Sequence, residues 1–508
     1  MQHFHSARAS PLNTGLGRAK RGAMSKKKIL FITVPYHAGV VEVAGSWVPL
    51  YLVYLAGAAR QAGYETAIYD AMTKNSSYDD IEQKIRDYAP DFVAVSVFTC
   101  TSPDGIMVIE LAKKVNPKIT TIMGGVHATF MYEEMFGLSP AIDFIVRGEG
   151  EKTIVELLDA LSNGRDLGAV KGIVYRKDNT LAVTPDRPLM HDLDNQPMAW
   201  DLLDWTDYHY YVLPGSRLGA VDTSRGCDKD CTFCSQQKFW LKKWRARSPQ
   251  DIVREMLELR DKYGVTVVLF TDDYPTPDRA RWEKLLDLLI EKKVGQYILM
   301  ETRAADIIRD EDILPKYRKA GIIHIYVGTE STQQASLDYI KKDLSLEESK
   351  KALALCRQHG IITETSMILG FPDETEDSIA KTLELAMEFN PDMAHFLAIA
   401  PWPYADIYKD LKPFIEVTDY RKYNLIDPII KPKNMTLAEL DKAIVDCYRA
   451  FYMNRYAEMT LQERDEFKKK YMMTAMKLMM SNSFIKKKIG AIGEMPAEVR
   501  RIIESVEF

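Results

Sequence analysis

The sequence predicts an α/β protein in three parts: an N-terminal doubly wound parallel sheet, a partial (β/α)6 barrel and a helical C-terminal region. Two observations carry this prediction. Short β-branched runs alternate with amphipathic segments twice along the 508-residue chain, over residues 28–164 and again from residue 218. Beyond residue 404 the strand signal disappears and helical patterns remain. We expect a disordered leader at 1–24, a first domain at 25–185 and a linker at 186–216. A barrel domain at 217–403 and C-terminal helices at 404–508 should follow.

Composition narrows the classes of function. The chain is 46% hydrophobic and 27% charged with a net charge of −5, so it has no basic excess to bind nucleic acid. It has no apolar run of about 18 residues, which excludes a transmembrane span. Three of its six cysteines lie within eight residues, which indicates a metal site rather than a disulfide framework. We therefore expect a soluble, cytoplasmic protein.

The first 23 residues do not read as a secretory signal. They contain four basic and no acidic residues, and they lack an apolar core of sufficient length. A targeting extension is one alternative. We expect an unstructured leader before a start at Met24, because the first strand begins directly after it.

The first alternating unit predicts a rim of ligand-binding loops. Its strand candidates are KILFITV, ETAIYD, DFVAVSV, TTIMGG and DFIVRG, and helical patterns separate them. In such sheets ligands bind at the carboxyl ends of the strands. The Gly-, Ser- and Thr-rich segments at those ends are 35–39, 96–102, 124–129 and 148–151. A hairpin with an Asp178-Asn179 turn follows and leads into the irregular linker.

The second unit contains six strand candidates, which predict a partial barrel with its chemistry at the carboxyl ends of the strands. They are GAVDTS, VTVVLFTD, YILMETR, IIHIYVG, ETSMILGF and MAHFLAIA. Ser248 and Ser345 provide signals for helix starts, and Ser345 with Glu348 forms a capping box. The pattern therefore predicts that strands and helices alternate along this unit.

The strongest motif is C-x3-C-x2-C, formed by Cys227, Cys231 and Cys234 directly after the first barrel strand. Three thiolates can ligate three irons of a 4Fe-4S cluster and leave the fourth iron open. S-adenosylmethionine (SAM) could chelate that iron through its amino and carboxylate groups. The alternative is a zinc knuckle, but no nearby Cys or His supplies a fourth ligand. The other cysteines are expected to be small buried residues.

With this loop, the chain resembles the radical SAM superfamily. Further matches at the predicted strand ends are Thr271-Asp272-Asp273, Glu301-Thr302-Arg303, Gly328–Ser331 and Gly370-Phe371-Pro372. The resemblance implies that the cluster cleaves SAM to a 5′-deoxyadenosyl radical. It also implies that Glu330 and Arg303 contact SAM, that Phe233 packs beside its adenine and that Gly370 lies in the same site. The alternative for each residue is an ordinary role in a loop.

The N-terminal unit resembles the cobalamin-binding domain that precedes the barrel in one class of these enzymes. The resemblance implies cobalamin contacts at the strand ends by Ser96, Thr99, Gly124, Gly125 and Glu149. The D-x-H-x-x-G motif of some cobalamin proteins is absent after the first strand, where residues 35–39 read PYHAG. We therefore expect cobalamin without a histidine ligand of that type, and His37 becomes a candidate for facing the substrate. A nucleotide-type fold that has lost its ligand is the alternative.

Within that class the chain resembles the anaerobic magnesium-protoporphyrin IX monomethyl ester cyclase family. The segments that carry this resemblance are 37–39, 44–47, 69–73, 234–240 and 423–433. It implies a porphyrin-type substrate, oxygen-independent formation of the fifth ring of bacteriochlorophyll, and an electron donor such as flavodoxin or ferredoxin. The alternatives are a cobalamin-dependent radical SAM methyltransferase, another radical oxidation, or a non-catalytic tetrapyrrole or cobalamin carrier.

A planar apolar substrate would need a large hydrophobic cleft. Candidates to line it are Trp240, Phe396, Trp402, Tyr404 and Tyr423, for which plain packing is the alternative. The Met-rich stretch that begins at Lys468 is expected to pack in the core, with a lid or a membrane-surface contact as alternatives.

Overall fold

A computed structural model describes residues 26–36 and 41–481, with only the backbone described for 41–42 and 480–481. The predicted leader and His37 therefore lie outside the described residues. Within the described part, no helix has both the length and the apolar character needed to cross a bilayer.

The N-terminal domain contains a seven-stranded sheet whose first five strands are parallel. The strands are β1 (Lys28–Ile32), β2 (Glu65–Tyr69), β3 (Phe92–Ser96), β4 (Thr120–Gly124), β5 (Phe144–Val146), β6 (Ile173–Lys177) and β7 (Thr180–Val183). Their order is β2-β1-β3-β4-β5-β6-β7. The predicted hairpin, β6 and β7, pairs antiparallel with β5 and so extends the sheet, instead of only separating the domains.

Helices cover both faces of this sheet, which confirms the doubly wound fold. They are α2 (Leu50–Gln61), α3 (Tyr78–Tyr88), α4 (Ser102–Val115), α5 (Val126–Phe130), α6 (Tyr132–Leu138) and α7 (Glu151–Asn163). The short helix α1 (Val41–Ala44) packs elsewhere, with Val43 in the apolar cluster that contains Leu218 and Met393. One core joins Ile81 of α3 and Ile109 of α4 to the strands, and a second core joins Leu52 of α2 and Leu157 of α7 to the opposite face. The carboxyl ends of the parallel strands form one rim between these layers.

The second domain contains an open six-stranded parallel sheet, which confirms the partial barrel. Its strand order is β15-β14-β13-β12-β11-β8, and β9 and β10 form a separate antiparallel pair. The strands are β8 (Leu218–Val221), β9 (Ser224–Arg225), β10 (Arg245–Ala246), β11 (Val267–Phe270), β12 (Tyr297–Thr302), β13 (Ile322–Val327), β14 (Ile362–Leu369) and β15 (Met393–Ala398). The cysteine motif lies in the segment that connects β9 to β10.

The barrel helices begin where the sequence signals predict. Ser248 accepts a hydrogen bond from the Asp251 N–H, and Ser345 forms the predicted capping box with Glu348. The helices are α8 (Gln236–Phe239), α9 (Pro249–Tyr263), α10 (Arg279–Glu291), α11 (Ala304–Arg309), α12 (Leu314–Ala320), α13 (Gln334–Tyr339), α14 (Leu346–Gln358) and α15 (Glu376–Phe389).

The C-terminal region is helical, as predicted, with α16 (Tyr408–Leu411), α17 (Leu437–Leu461) and α18 (Glu466–Ser481). The Met-rich helix α18 buries Met472, Met476 and Met479. They pack in one cluster with Leu218 and Met393, the first residues of two barrel strands. Helix α18 therefore covers the amino-terminal end of the barrel, which confirms core packing for the methionines.

Candidate active site

The cysteine loop begins at a glycine that no other residue could replace without strain. Gly226 has φ +90°, and a Cβ atom there would lie 2.2 Å from the carbonyl oxygen of Lys243. Cys231 is buried, whereas Cys227 and Cys234 keep partial exposure. The Gln236 N–H donates to the Cys234 Sγ atom at 3.4 Å.

Two other parts of the chain hold this loop in place. The Thr232 N–H donates to the carbonyl oxygen of Ile340 at 2.9 Å, and the Ile407 N–H donates to the carbonyl oxygen of Thr232 at 3.0 Å. The Gln237 side-chain amide donates to the Cys231 carbonyl oxygen at 3.0 Å. The loop is therefore fixed by backbone contacts from both the barrel and the segment that follows β15.

The three thiols are the kind of donor set that holds an iron–sulfur cluster. Across residues 26–36 and 41–481, no group of three His, Cys, Asp or Glu side chains that could hold a single metal ion is found. In a 4Fe-4S cube each thiolate would bind a different iron. Burial raises the pKa of Cys227, and it raises that of Cys234 to about 12. A bound metal would keep these thiols deprotonated.

The residues expected to contact SAM lie around this loop, at the carboxyl ends of barrel strands. Glu330 has φ +60°, and its carboxylate accepts from Lys342 Nζ at 2.8 Å and from Ser366 Oγ at 3.3 Å. Arg303 Nη2 donates to the Asp343 carbonyl oxygen at 2.7 Å. A carboxylate and a guanidinium are thus held by the protein at the mouth of the barrel.

Gly370 and Phe233 take structural positions on the same rim. Gly370 has φ +89°, and its N–H donates to Glu374 Oε2 at 3.0 Å. Phe233 is half-buried and packs against an apolar cluster that contains Phe371 and Tyr423. The roles of these residues toward SAM remain predictions.

Two carboxylates at this end belong to the matched strand-end motifs but were given no role of their own. Desolvation at the mouth of the barrel raises the pKa of Glu301 to about 8, with further contributions from the charges of Asp273 and Glu330. Burial also raises the pKa of Asp273 to about 7. Glu301 keeps accessible surface although β12 is an inner strand, so it borders open space at the strand end. Their position directly at strand ends was the signal available in the sequence.

The rim of the N-terminal sheet places the predicted cobalamin residues on two adjacent strands. Ser96 pairs with Gly124 at the ends of β3 and β4. Gly125 has φ +95°, and a Cβ atom there would lie 2.5 Å from the Val97 carbonyl oxygen. The end of β3 therefore requires glycine at this position, because a side chain would collide with the Val97 backbone. The contact of these residues with cobalamin stays a prediction.

Thr99 is buried and joins this rim to the C-terminal region. Its hydroxyl forms hydrogen bonds with Tyr404 at 3.0 Å and with His127 Nδ1 at 3.1 Å. Burial lowers the pKa of His127 to about 4, so its imidazole is neutral near pH 7. His127 was not predicted, although its place two residues after Gly125 was visible in the sequence.

Glu149 is held by protein partners, and its contact with cobalamin stays a prediction. Its carboxylate accepts from Arg245, from Arg225 and from the Met190 N–H. Two aromatic candidates for the substrate cleft are also packed inside the protein. Phe396 is 1% exposed against Tyr448 and Phe451, and Tyr423 is 2% exposed.

Comparisons with known proteins agree with both halves of this site. Residues 36–158 match the B12 binding domain, and residues 221–386 match the Radical SAM superfamily. The chain belongs to the family of cobalamin-binding radical SAM enzymes. Its cofactors are a 4Fe-4S cluster, SAM and cobalamin.

Individual relatives cover nearly the whole chain. The anaerobic magnesium-protoporphyrin IX monomethyl ester cyclase of Rubrivivax gelatinosus is 36% identical over 94% of this chain and 87% of its own length. An uncharacterized methyltransferase of Pyrococcus horikoshii is 32% identical over 85% of this chain and 93% of its own. The solved methyltransferase TsrM from Kitasatospora setae, with cobalamin and a [4Fe-4S] cluster bound, shares the fold. Its TM-score is 0.64 at 17% identity, covering 82% of this chain and 85% of that one.

Proposed function

We propose that the protein is an oxygen-independent cyclase that forms the fifth ring of bacteriochlorophyll from magnesium-protoporphyrin IX monomethyl ester. The observation that supports this most is the similarity to the Rubrivivax cyclase, which extends through both domains and the C-terminal helices. In the proposed reaction, a methyl propionate side chain loses hydrogen to the deoxyadenosyl group of SAM, which serves as the oxidant and leaves as deoxyadenosine and methionine. The side chain takes its new oxygen atom from water and closes onto the macrocycle.

Residues at the strand ends of the two sheets bind different cofactors in this proposal. When bound, the cluster, SAM and cobalamin supply the radical chemistry. Cys227, Cys231 and Cys234 hold the cluster, and Glu330 and Arg303 orient SAM beside it. At the rim of the N-terminal sheet, Ser96, Thr99, Gly124 and Gly125 hold cobalamin.

Carboxylates at the mouth of the barrel are suited to exchange protons. Oxidation of a propionate carbon releases protons, and a group with a pKa near the working pH carries them best. The pKa of Glu301 is raised to about 8 and that of Asp273 to about 7, so both can gain or lose a proton near neutral pH. We assign proton exchange to this pair.

The proposal includes a reducing partner and a reducing compartment. All six cysteines are unpaired, which suits the cytoplasm. The cluster requires one-electron reduction, and a flavodoxin or ferredoxin is the class of donor that would supply it.

An anaerobic assay tests the proposed reaction. Reconstituted protein is incubated with SAM, cobalamin, a reductant and magnesium-protoporphyrin IX monomethyl ester, and products are followed by absorption and mass. A protochlorophyllide-type product that disappears in Cys231→Ala would support the cyclase. Formation of deoxyadenosine without any change in the macrocycle would reject this substrate.

A methyltransferase is the second candidate, because the Pyrococcus relative carries that name and covers most of the chain. In the same assay it would give S-adenosylhomocysteine and a mass increase of one methyl group on an acceptor. That result would replace the cyclase proposal.

A further inference from the structure

A buried carboxylate of the N-terminal domain contacts the stem of the cysteine loop. Glu149 follows β5 by three residues and is 8% exposed. Its Oε1 atom accepts from Arg225 Nη1 at 3.2 Å and from Arg245 Nη1 at 2.9 Å. Its Oε2 atom accepts from Arg245 Nη1 at 2.9 Å and from the Met190 N–H at 2.7 Å.

The two arginines belong to the pair of short strands that forms the stem of that loop. Arg225 of β9 and Arg245 of β10 are directly paired in the short antiparallel ladder. Arg225 also donates to Glu151 at 2.7 Å and to Asp222 at 2.8 Å. Carboxylates from the N-terminal domain therefore hold both strands from which the cysteine loop extends.

Because this contact is buried, its hydrogen bonds persist only if the groups keep their present positions. Glu149, Arg225 and Arg245 are each at most 9% exposed, so water cannot replace a lost partner. Guanidinium groups are planar and donate in fixed directions, so a small displacement breaks several hydrogen bonds together. Only Gly226 separates Arg225 from Cys227, so the arginine lies directly beside the first thiol of the loop along the chain.

We propose that Glu149 is a positioning residue, which fixes the cysteine loop and its cluster relative to the cobalamin-binding rim. The distance and orientation between the cluster, SAM and cobalamin then depend on a side chain that contacts none of them. This inference concerns cleavage of SAM and is independent of the substrate proposed above.

The test compares Glu149→Gln with Asp104→Asn in the full-length reconstituted protein. Asp104 is a matched control, because it is also a buried carboxylate of the N-terminal domain that pairs with another region, through Arg421 at 3.1 Å. Three quantities are measured: cobalamin bound per chain, the electron paramagnetic resonance spectrum of the reduced cluster with and without SAM, and the rate of deoxyadenosine formation.

For Glu149→Gln we expect full cobalamin binding, an altered spectral response to SAM and deoxyadenosine formation slower by about tenfold or more. Asp104→Asn should match the wild type in the spectral response. Loss of cobalamin from Glu149→Gln with an unchanged cluster spectrum would overturn the proposal and make Glu149 a cofactor contact. Unchanged values of all three quantities would also overturn it.

A second variant keeps the test decisive if Glu149→Gln does not fold. Arg225→Lys retains the positive charge but loses the planar fork. We expect the same spectral change with a smaller loss of rate, because the ion pair persists in a looser geometry. A spectrum and rate identical to those of the wild type would contradict a positioning role for this contact.

Discussion

Glutamate side chains at the two ends of the barrel have opposite electrostatic surroundings. Near the amino-terminal end, Glu364 of β14 lies between two imidazoles. His324 Nε2 is 2.9 Å from one carboxylate oxygen, and His395 Nε2 forms a short hydrogen bond with the other. At the carboxyl end, Glu301 has no ion pair with a basic side chain among the residues that the structure describes.

The pKa values follow these partners rather than burial alone. Burial by itself would raise the pKa of Glu364, but His395 and His324 outweigh it and lower the pKa below its ordinary value. At Glu301, desolvation and the charges of Asp273 and Glu330 act together and raise the pKa to about 8. One end of the barrel thus holds a fixed charge, and the other holds groups that can titrate during a reaction.

The largest effect is expected from Glu364→Gln. Removing one partner of a buried charged cluster lowers the free energy of unfolding by about 3 kcal/mol. The folded-state pKa of Glu364 is lowered, so its contribution is complete above the unfolded value and is lost as the pH falls through the folded value. Denaturant unfolding at pH 7 and at pH 4 should therefore show a smaller difference from the wild type at pH 4.

Glu388→Gln is the control for that comparison. Glu388 is exposed and pairs with Lys350 on the surface, where solvent screens the interaction. Its unfolding curve should coincide with that of the wild type. If the unfolding curve of Glu364→Gln also coincided with that of the wild type, the contacts of Glu364 with His324 and His395 would not stabilise the amino-terminal, closed end of the barrel, which α18 covers.

Glu330→Gln should give the next largest effect, which is a loss of SAM affinity at the carboxyl end of the barrel. If the Glu330 carboxylate accepts from the SAM amine, loss of the charge weakens this hydrogen bond and reduces SAM affinity by about tenfold. Calorimetric titration of the anaerobic protein measures this. The exposed Glu376→Gln serves as control, and equal affinities in both variants would remove Glu330 from the SAM site.

Glu301 should give an intermediate effect with the opposite pH dependence to Glu364. Its raised pKa means that the folded state keeps the proton longer, so stability falls as the pH rises from the unfolded value toward about 8. Glu301→Gln removes this loss and should be more stable than the wild type at pH 8 by about 1–2 kcal/mol, since solvent reaches the side chain. The two proteins should converge near pH 4. A constant difference across this range would contradict a raised pKa.

The fold was predictable because its signals are local. Alternating apolar patterns gave both sheets, and Ser248 and Ser345 marked helix starts that the structure confirms. The C-x3-C-x2-C spacing likewise predicted a cluster loop. These features depend on neighbours within a few residues, which the sequence displays directly.

Contacts between distant residues could not be predicted in this way. Glu149 meets Arg225 and Arg245 across 76 and 96 residues, and Thr99 meets Tyr404 across 305. Nothing in the local pattern separates a glycine-flanked glutamate that binds a cofactor from one that binds an arginine. The cluster of Glu364 with His324 and His395 was missed for the same reason, because strand register decides which side chains share a face.

The smallest effect is expected from Tyr471→Phe at the closed end. The hydroxyl of Tyr471 on α18 lies 2.8 Å from His324 Nδ1, and its removal leaves the contact between His324 and Glu364 in place. The loss of its two hydrogen bonds, with His324 and with the hydroxyl of Tyr210, should lower the free energy of unfolding by about 1 kcal/mol. Denaturant unfolding measures this, with Tyr339→Phe as the exposed control. A loss as large as that of Glu364→Gln would show that α18 holds the histidines in place, and the closed end would then depend on the C-terminal helix rather than on the charged cluster alone.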